Sequence, residues 1–337
     1  MKSRQLLLKE RPNGLPDEQT FEIREEEVKS PEKGEVLLKT LYVSVDPYMR
    51  GRMSDQKSYV EPFQVGEPLE GGIVAQVIKS NADYPQKGDI VRGNLPFQEY
   101  NTAKADSVSK VNTHELNPSA ALSVLGMPGL TAYFGMMHIG EPKEGETVVV
   151  SAAAGAVGQI AGQLAKQAGA RVVGIVGSEE KAIYITERLG FDATVEYKKE
   201  NLKVQLQDAC PDGIDVYYEN VGGEIGDAIW PLLNTFSRVP VCGAISSYNL
   251  KKGEADIGPR VQQFLIKSRV KMQGFLVGDF AKHYKEAYKV LAEGVSEGNL
   301  VYEETVHKGF DAIPKAFNGL FTGDNIGKQL VKVAAPE

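Results

Sequence analysis

Histidine and cysteine are scarce in this chain of 337 residues, with four of the first and two of the second. Cys210 and Cys242 cannot build a disulfide framework, so the fold must rest on a hydrophobic core, and the expected compartment is a reducing one, the cytoplasm. His114, His138, His283 and His307 are scattered, and none stands at ligand spacing from a cysteine; no metal is expected. No uninterrupted apolar run of about eighteen residues occurs, so no membrane span is expected. Met1-Lys2-Ser3-Arg4-Gln5 does not open a secretory signal, and export is not expected. Positive charge is also short, with 38 Lys and Arg against 45 Asp and Glu, a net of -7. That argues against a nucleic-acid partner, which needs a basic face, and leaves room for a local basic pocket around one anionic small molecule.

Glycine, by contrast, is abundant at 35 residues, which fits a fold with many tight turns. Residues 1 to about 120 read as short strands, such as Val36–Val45, Gly72–Ile78 and Asp89–Arg92, separated by turn signals. Helical periodicity is scarce there, as in a distorted barrel. From about 121 the rhythm becomes strand, helix, strand. The expected strands are Thr147–Val150, Arg171–Val176, Ala193–Glu196, Asp215–Glu219, Arg238–Cys242 and Val270–Phe275, with helices such as Val157–Ala168 and Glu179–Leu189 between them. Six such strands make an α/β, doubly wound parallel sheet. A helix over Phe310–Phe321 and a last strand, Gln329–Val333, should rejoin the first region. The expected division is a catalytic unit of 1–122 and 299–337 around a nucleotide unit of 123–298.

The most informative segment runs from Gly145 to Gly158. An apolar, β-branched strand feeds a turn of small residues, and a helix follows at once. Ala153, Gly155, Ala156, Val157 and Gly158 let a backbone approach a pyrophosphate, and the helix start offers free N–H groups and a positive dipole end. Ala153 stands where the full glycine fingerprint has its first glycine, so the context of strand and helix carries the reading. The second strand ends in Gly177-Ser178, where an acid would hold the ribose of NAD. Lys181, one helical turn on, can meet a 2′-phosphate, and Tyr197 can bond the same group or pack beside the adenine. The expected cofactor is therefore NADP(H). Lys181 reads alternatively as a solvated lysine of a first helical turn.

Several motifs, in order, resemble the medium-chain dehydrogenase/reductase superfamily over essentially the whole chain: Val45-Asp-Pro-Tyr-Met-Arg50, Gly126-Met-Pro-Gly-Leu-Thr-Ala-Tyr133, Ala152–Gly158, Glu219-Asn-Val-Gly-Gly223, Cys242–Asn249 and Gly323-Asp-Asn-Ile-Gly-Lys328. They resemble its zinc-independent branch of prostaglandin, curcumin and plant double-bond reductases. The resemblance implies a GroES-like barrel unit with an inserted Rossmann unit. The zinc-ligand positions of the alcohol dehydrogenases fall near Asp46, at Leu69 and at Met127, and only the first is a residue type that binds zinc. Without a Lewis acid, an α,β-unsaturated carbonyl is an easier target than a ketone, because charge develops on an enolate oxygen that hydrogen bonds can hold.

The expected catalytic residues are Tyr248, at the carboxyl edge of the sheet, with Tyr48, Arg50 and the covering Tyr59. Tyr248 would donate to the nicotinamide ribose or to the developing enolate, and Tyr48 would hydrogen-bond the substrate carbonyl. Arg50 would hold a carboxylate or phosphate, or pair with a local acid. Asn220, Cys242, Gly243, Phe275, Leu276 and Val277 follow strand ends and should line the cofactor groove. Met127, Pro128 and Thr131 should form its inner wall, and Asn325 matches the family position near the carboxamide or phosphates. The expected activity is NADPH-dependent reduction of the C=C bond of conjugated carbonyl substrates. Alternatives are a quinone reductase of the zeta-crystallin type and a non-catalytic NADP(H)-binding sensor. A homodimer through the sixth strand is expected.

Overall fold

The computed structural model describes residues 1–112 and 116–337; His114 lies outside them. The first lobe holds β1 (Lys2–Leu8), β2 (Phe21–Glu27), β3 (Glu35–Ser44), helix α1 (Tyr48–Arg52), β4 (Glu70–Ser80), β5 (Ile90–Pro96), β6 (Tyr100–Lys104) and β7 (Ser109–Lys110). Helix α2 (Met127–Phe134) leads into β8 (Thr147–Val150), α3 (Gly158–Gln167), β9 (Arg171–Val176), α4 (Glu179–Ile183), β10 (Ala193–Glu196), α5 (Leu202–Ala209) and β11 (Ile214–Tyr218). Then come α6 (Gly223–Ile229), β12 (Leu233–Val241), α7 (Gln262–Ser268), β13 (Lys271–Gly274) and α8 (Tyr284–Ser296). The chain returns through β14 (Glu304–Lys308), α9 (Ile313–Thr322) and β15 (Lys328–Lys332).

Strands β8 to β13 form one six-stranded sheet in the order β10-β9-β8-β11-β12-β13. All five pairings are parallel. This is the doubly wound arrangement expected, and its crevice opens between β8 and β11, where the winding reverses. β8 is wholly apolar but for Thr147 and is buried throughout, as a central strand covered on both faces must be. Val148 and Val150 pack toward α2, α3 and α8, while Val149 packs against Leu206, Ile225 and Ile229. The second sheet runs β14-β15-β3-β4-β5-β7, with β6 also on β3, so the last strand, β15, pairs with β3 of the first lobe.

Four local expectations need correction. Tyr48 and Arg50 lie on the short helix α1 rather than in a loop; Pro47, with φ -58°, starts it, and five residues are too few for periodicity to register. The helix expected over Glu179–Leu189 widens into a π-helical turn at Tyr184–Arg188. That expected over Phe310–Phe321 opens with a 3-10 turn, because Pro314 falls in the first turn of α9. The fifth strand begins at Leu233, five residues early, and its extra length includes a kink at Phe236, with φ +65°. Among the described residues no helix is long and apolar enough to cross a membrane.

A ladder of glutamines ties α3 to the returning chain. Gln159, Gln163 and Gln167 share one helix face, and they meet Glu303, Val301 and Asn299. Gln163 donates to the Val301 carbonyl at 2.7 Å and accepts its amide at 2.8 Å. Gln159 repeats both bonds with Glu303 at 3.2 and 3.0 Å, and Gln167 donates to Asn299 at 2.9 Å. The spacings match because four helical residues rise about 6 Å and two extended residues span about 6.6 Å. Gln163→Leu keeps the bulk but strands the Val301 amide and carbonyl. We expect a loss of about 2–4 kcal/mol, read as a lower urea midpoint at unchanged slope; an unaltered midpoint would remove the ladder's structural role.

Candidate active site

The turn after β8 is built by close approach. A Cβ on Gly158 would lie 2.3 Å from the Ala152 carbonyl oxygen, so only glycine permits α3 to start there. Ala152 itself sits at φ +49°, a strained conformation for a residue with a Cβ. Ala153 is fully buried, and its amide donates to the Ile175 carbonyl at 3.1 Å, which locks the turn to β9. Gly155, Ala156 and Val157 remain partly open at the head of α3. Behind the turn, Glu219 is a buried carboxylate whose Oε1 accepts from the amides of Val221 and Gly222 at 2.8 and 2.9 Å and from Tyr217 at 2.8 Å. Asn220 donates to the Ser151 carbonyl at 2.7 Å, joining the ends of β8 and β11 at the crevice.

At the outer end of the crevice, Gly177 lies against Tyr197 and Lys198: a Cβ there would sit 3.1 Å from the Tyr197 ring and 3.4 Å from Lys198. Ser178 accepts the Lys181 amide at 3.4 Å and so caps α4. The Lys181 ammonium donates to the Gly323 carbonyl at 2.7 Å. Burial lowers its pKa, and the charge of Lys198 lowers it further. Two cations thus share the corner beside Gly177. The sequence reading missed Lys198, although its place beside Tyr197 after the third strand was visible.

The hexapeptide Gly323–Lys328 crosses from this corner to the other lobe. Asn325 is buried and donates to the Gly327 carbonyl at 2.7 Å. The Gly327 amide donates to Ala154 at 2.7 Å, and Gly155 and Gly327 form a parallel bridge. Gly327 has φ +67°, and a Cβ on it would fall 1.8 Å from the Glu303 carbonyl. Lys328 is buried, with its ammonium 3.1 Å from Asp46 Oδ1 and donating to the carbonyls of Val45 and Gln329 at 2.6 and 2.9 Å. The sequence reading missed this pair; nothing in spacing alone sets residue 328 beside residue 46. Among the described residues no group of three or more His, Cys, Asp or Glu could hold a metal.

Tyr48 follows Asp46 and is half-buried; burial, then the Asp46 charge, raises its pKa, so the phenol stays protonated. Tyr248 accepts the Ala244 amide at 3.3 Å, which leaves its own proton to donate, and burial raises its pKa too. Tyr59 is 64% exposed, yet Tyr248 and Cys242 lie near enough to raise its pKa after burial has done so. Tyr59 also adds to the rise at Tyr48, so each of the other two tyrosines lies within electrostatic reach of Tyr59. Burial pushes the Cys242 thiol up to about 12, so it is no thiolate. Arg50 forms no ion pair with a local acid among the described residues. Its Nε donates to Asn249 at 3.0 Å and its Nη2 to the Gly14 carbonyl at 2.9 Å. The guanidinium thus staples α1 to the residue after Tyr248. The Met53–Gln64 loop is pinned at its ends by Arg11, which bonds the carbonyls of Met53 and Phe63 at 3.0 and 3.1 Å.

The inner wall is mixed. Pro128 is buried, Met127 is 40% exposed, and the Thr131 carbonyl accepts the Tyr218 hydroxyl at 2.8 Å. Phe275 packs edge-on to Phe280 at 6.2 Å, Leu276 is exposed, and the Val277 carbonyl accepts Tyr284 at 3.1 Å. Gly243 lies against the Tyr248 hydroxyl, 3.1 Å from where its Cβ would be.

A barrel lobe clasping a doubly wound sheet at its switch point defines the two-lobed nucleotide-dependent oxidoreductases. Residues 4–111 match the model for the N-terminal domain of oxidoreductase, and residues 156–293 that for zinc-binding dehydrogenase. The chain is 44% identical over 340 residues to the NADPH-dependent curcumin reductase of Escherichia coli (strain K12), covering 100% of this chain and 98% of that protein. It is 42% identical over 338 residues to the 2-alkenal reductase (NADP(+)-dependent) of Nicotiana tabacum, covering 98% of each. The crystal structure of CurA from Vibrio vulnificus in complex with NADPH is similar at a TM-score of 0.94 and 40% identity, over 99% of this chain and 100% of that one. The chain belongs to the zinc-independent branch of the medium-chain dehydrogenase/reductase family.

Lys328→Met would leave the Asp46 carboxylate buried and unpaired. We expect a stability loss of about 3–5 kcal/mol, measured by thermal or urea unfolding. Adding Asp46→Leu should recover much of it; a double variant no better than the single would refute the pairing.

Proposed function

We propose that this protein reduces the carbon–carbon double bond of α,β-unsaturated carbonyl compounds with NADPH. The observation that carries the coenzyme is the corner of Lys181, Lys198, Tyr197 and Gly177. Two neighbouring cations without a carboxylate suit a 2′-phosphate and leave NAD no ribose acid. Gly158, whose Cβ would collide with the Ala152 carbonyl, supports a turn made for a close pyrophosphate. Ala153, Gly155, Ala156 and Val157 would line that turn. Asn220, Cys242, Gly243, Phe275–Val277, Asn325 and the wall of Met127, Pro128 and Thr131 would hold the rest of the molecule. Bound there, NADPH supplies a hydride to the β-carbon of a conjugated carbonyl.

The chain's own part is to position and to donate. Tyr48 and Tyr248 keep their protons because both are half-buried and the desolvation raises their pKa, and each can donate to the carbonyl oxygen as its negative charge grows. Tyr59 would cover the mouth, and Arg50 would fix the relation of Tyr48 to Tyr248. Asp46 is already answered by Lys328, and Leu69 and Met127 fill the other positions where relatives bind zinc, so hydrogen bonds carry the oxyanion. The names of the curcumin and alkenal reductases support the same reaction class. The units that clasp the cleft would be 1–122 with 299–337 and 123–298. Two free cysteines suit a cytoplasmic setting.

NADPH oxidation with a medium-chain enone should be saturable, and NADH should serve poorly. Tyr48→Phe with Tyr248→Phe should remove at least about 99% of turnover, in keeping with loss of oxyanion donors, while NADPH still binds. Turnover confined to quinones or saturated ketones would overturn the reading.

We also propose a homodimer joined along β13. This edge strand pairs only with β12 among the described residues, and Met272 and Leu276 stand exposed beside it. An open strand edge of this kind favours covering by its own copy. Light scattering at micromolar concentration should give twice the chain mass; a monomer would contradict it.

A further inference from the structure

A cavity of about 450 Å³ opens beside Tyr48, and no residue of the turn after β8 lines it. Its volume is that of a small-molecule site. Its floor is made by Ser44, Asp46 and Tyr48, and its inner wall includes Leu122 and Met127. Its mouth is formed by Asn94, Asp106 and Ser109, all exposed. Two of the three positions that hold zinc in relatives, Asp46 and Met127, thus border an open space.

The charges around this space are unequal. Asp46 at the floor is matched by Lys328 at 3.1 Å. Arg92, the cation in the wall, donates its Nη1 to the carbonyls of Leu125 and Ala121 at 3.0 and 3.3 Å, and its Nη2 to the Tyr288 hydroxyl. Asp106 at the mouth forms no ion pair among the described residues. A chain leaving the reacting carbon would therefore run past apolar groups and the Arg92 guanidinium, whose donors are taken by neutral acceptors while its charge remains, and end beside a carboxylate, an amide and a hydroxyl. A carboxylate can only accept hydrogen bonds, so it welcomes a hydroxyl and repels another carboxylate.

We propose that this cavity seats the substituent of the conjugated carbonyl substrate, and that Asp106 selects neutral substituents ending in a hydroxyl or phenol over those ending in a carboxylate. This rests on the reaction proposed above and adds a specificity subsite to it. Because Asp106 is exposed, its repulsion is screened by salt and should fade toward 1 M, where the screening length is about 3 Å.

The test compares the whole protein with Asp106→Asn and Asp106→Lys, using NADPH and enones of equal length that end in hydroxyl, methyl or carboxylate. A short enone without a substituent is the control. The hydroxyl substrate should exceed the carboxylate about tenfold in kcat/KM, the size of one such interaction. Asp106→Asn should narrow the ratio, Asp106→Lys should invert it, and high salt should compress it in the parent. The short enone should stay within about twofold throughout. Calorimetric binding of the saturated hydroxyl and carboxylate analogues to the NADP+ complex reads the same preference without turnover. Equal ratios in all three proteins, in turnover or in binding, would overturn the subsite. Failure of the parent to reduce the short enone would overturn the reaction, and the binding ratio would still decide the subsite.

Discussion

Gly327 is the constraint on which the site depends. Its left-handed backbone, and the absence of a side chain 1.8 Å from the Glu303 carbonyl, let the returning chain lie directly on the phosphate turn. Its neighbours then reach three separate parts of the molecule. The Gly323 carbonyl receives Lys181, the Gly327 amide bonds Ala154, and Lys328 enters the barrel lobe to meet Asp46. Six residues thus register the phosphate corner, the pyrophosphate turn and the substrate side against one another. The glutamine ladder on α3 prolongs the same seam, so that the helix bearing the turn and the chain entering β14 are held by paired amides.

The two ends of the cleft treat charge in opposite ways. On the substrate side, Asp46 and Lys328 cancel in a dry setting with backbone carbonyls completing the ammonium's shell. A buried pair of this kind adds little net stability, but its carboxylate, after burial, helps the Tyr48 phenol keep its proton. At the outer end, the charge of Lys198 adds to burial in lowering the Lys181 pKa, and an anion joining that corner would relieve the repulsion. Glu219 follows a third pattern: it is buried and ionisable, yet backbone amides and a tyrosine hydroxyl satisfy it, so it shapes the loop after β11 without entering the chemistry.

Local signals served well where the chain's own pattern decides the structure. The strands at Thr147–Val150, Arg171–Val176 and Ala193–Glu196 lie where apolar runs placed them. The first two are central and buried on both faces along nearly their whole length, and burial of that kind writes a nearly uninterrupted apolar text, whereas the third is an edge strand in which only Val195 is fully buried. Signals failed where structure is short or borrowed. Helix α1 has five residues, too few for a period, and the early start of β12 depends on its partner strands. Arg50 looked like an anion binder because its residue type is used that way. Its actual partners are the Gly14 carbonyl and Asn249, and partners so distant in sequence leave no local mark.

By itself the sequence determined the order of strands and helices, the small-residue turn, the missing acid at Gly177 and the residue types available for chemistry, because each follows from periodicity or from one side chain's nature. The tertiary structure alone decided that Lys198 joins Lys181, that Lys328 neutralises Asp46 and that a cavity opens between Tyr48 and Asp106. Each of these joins chain segments from different turns or strands. Only the folded backbone sets the distance between them, and with charges and hydrogen bonds the distance determines the effect.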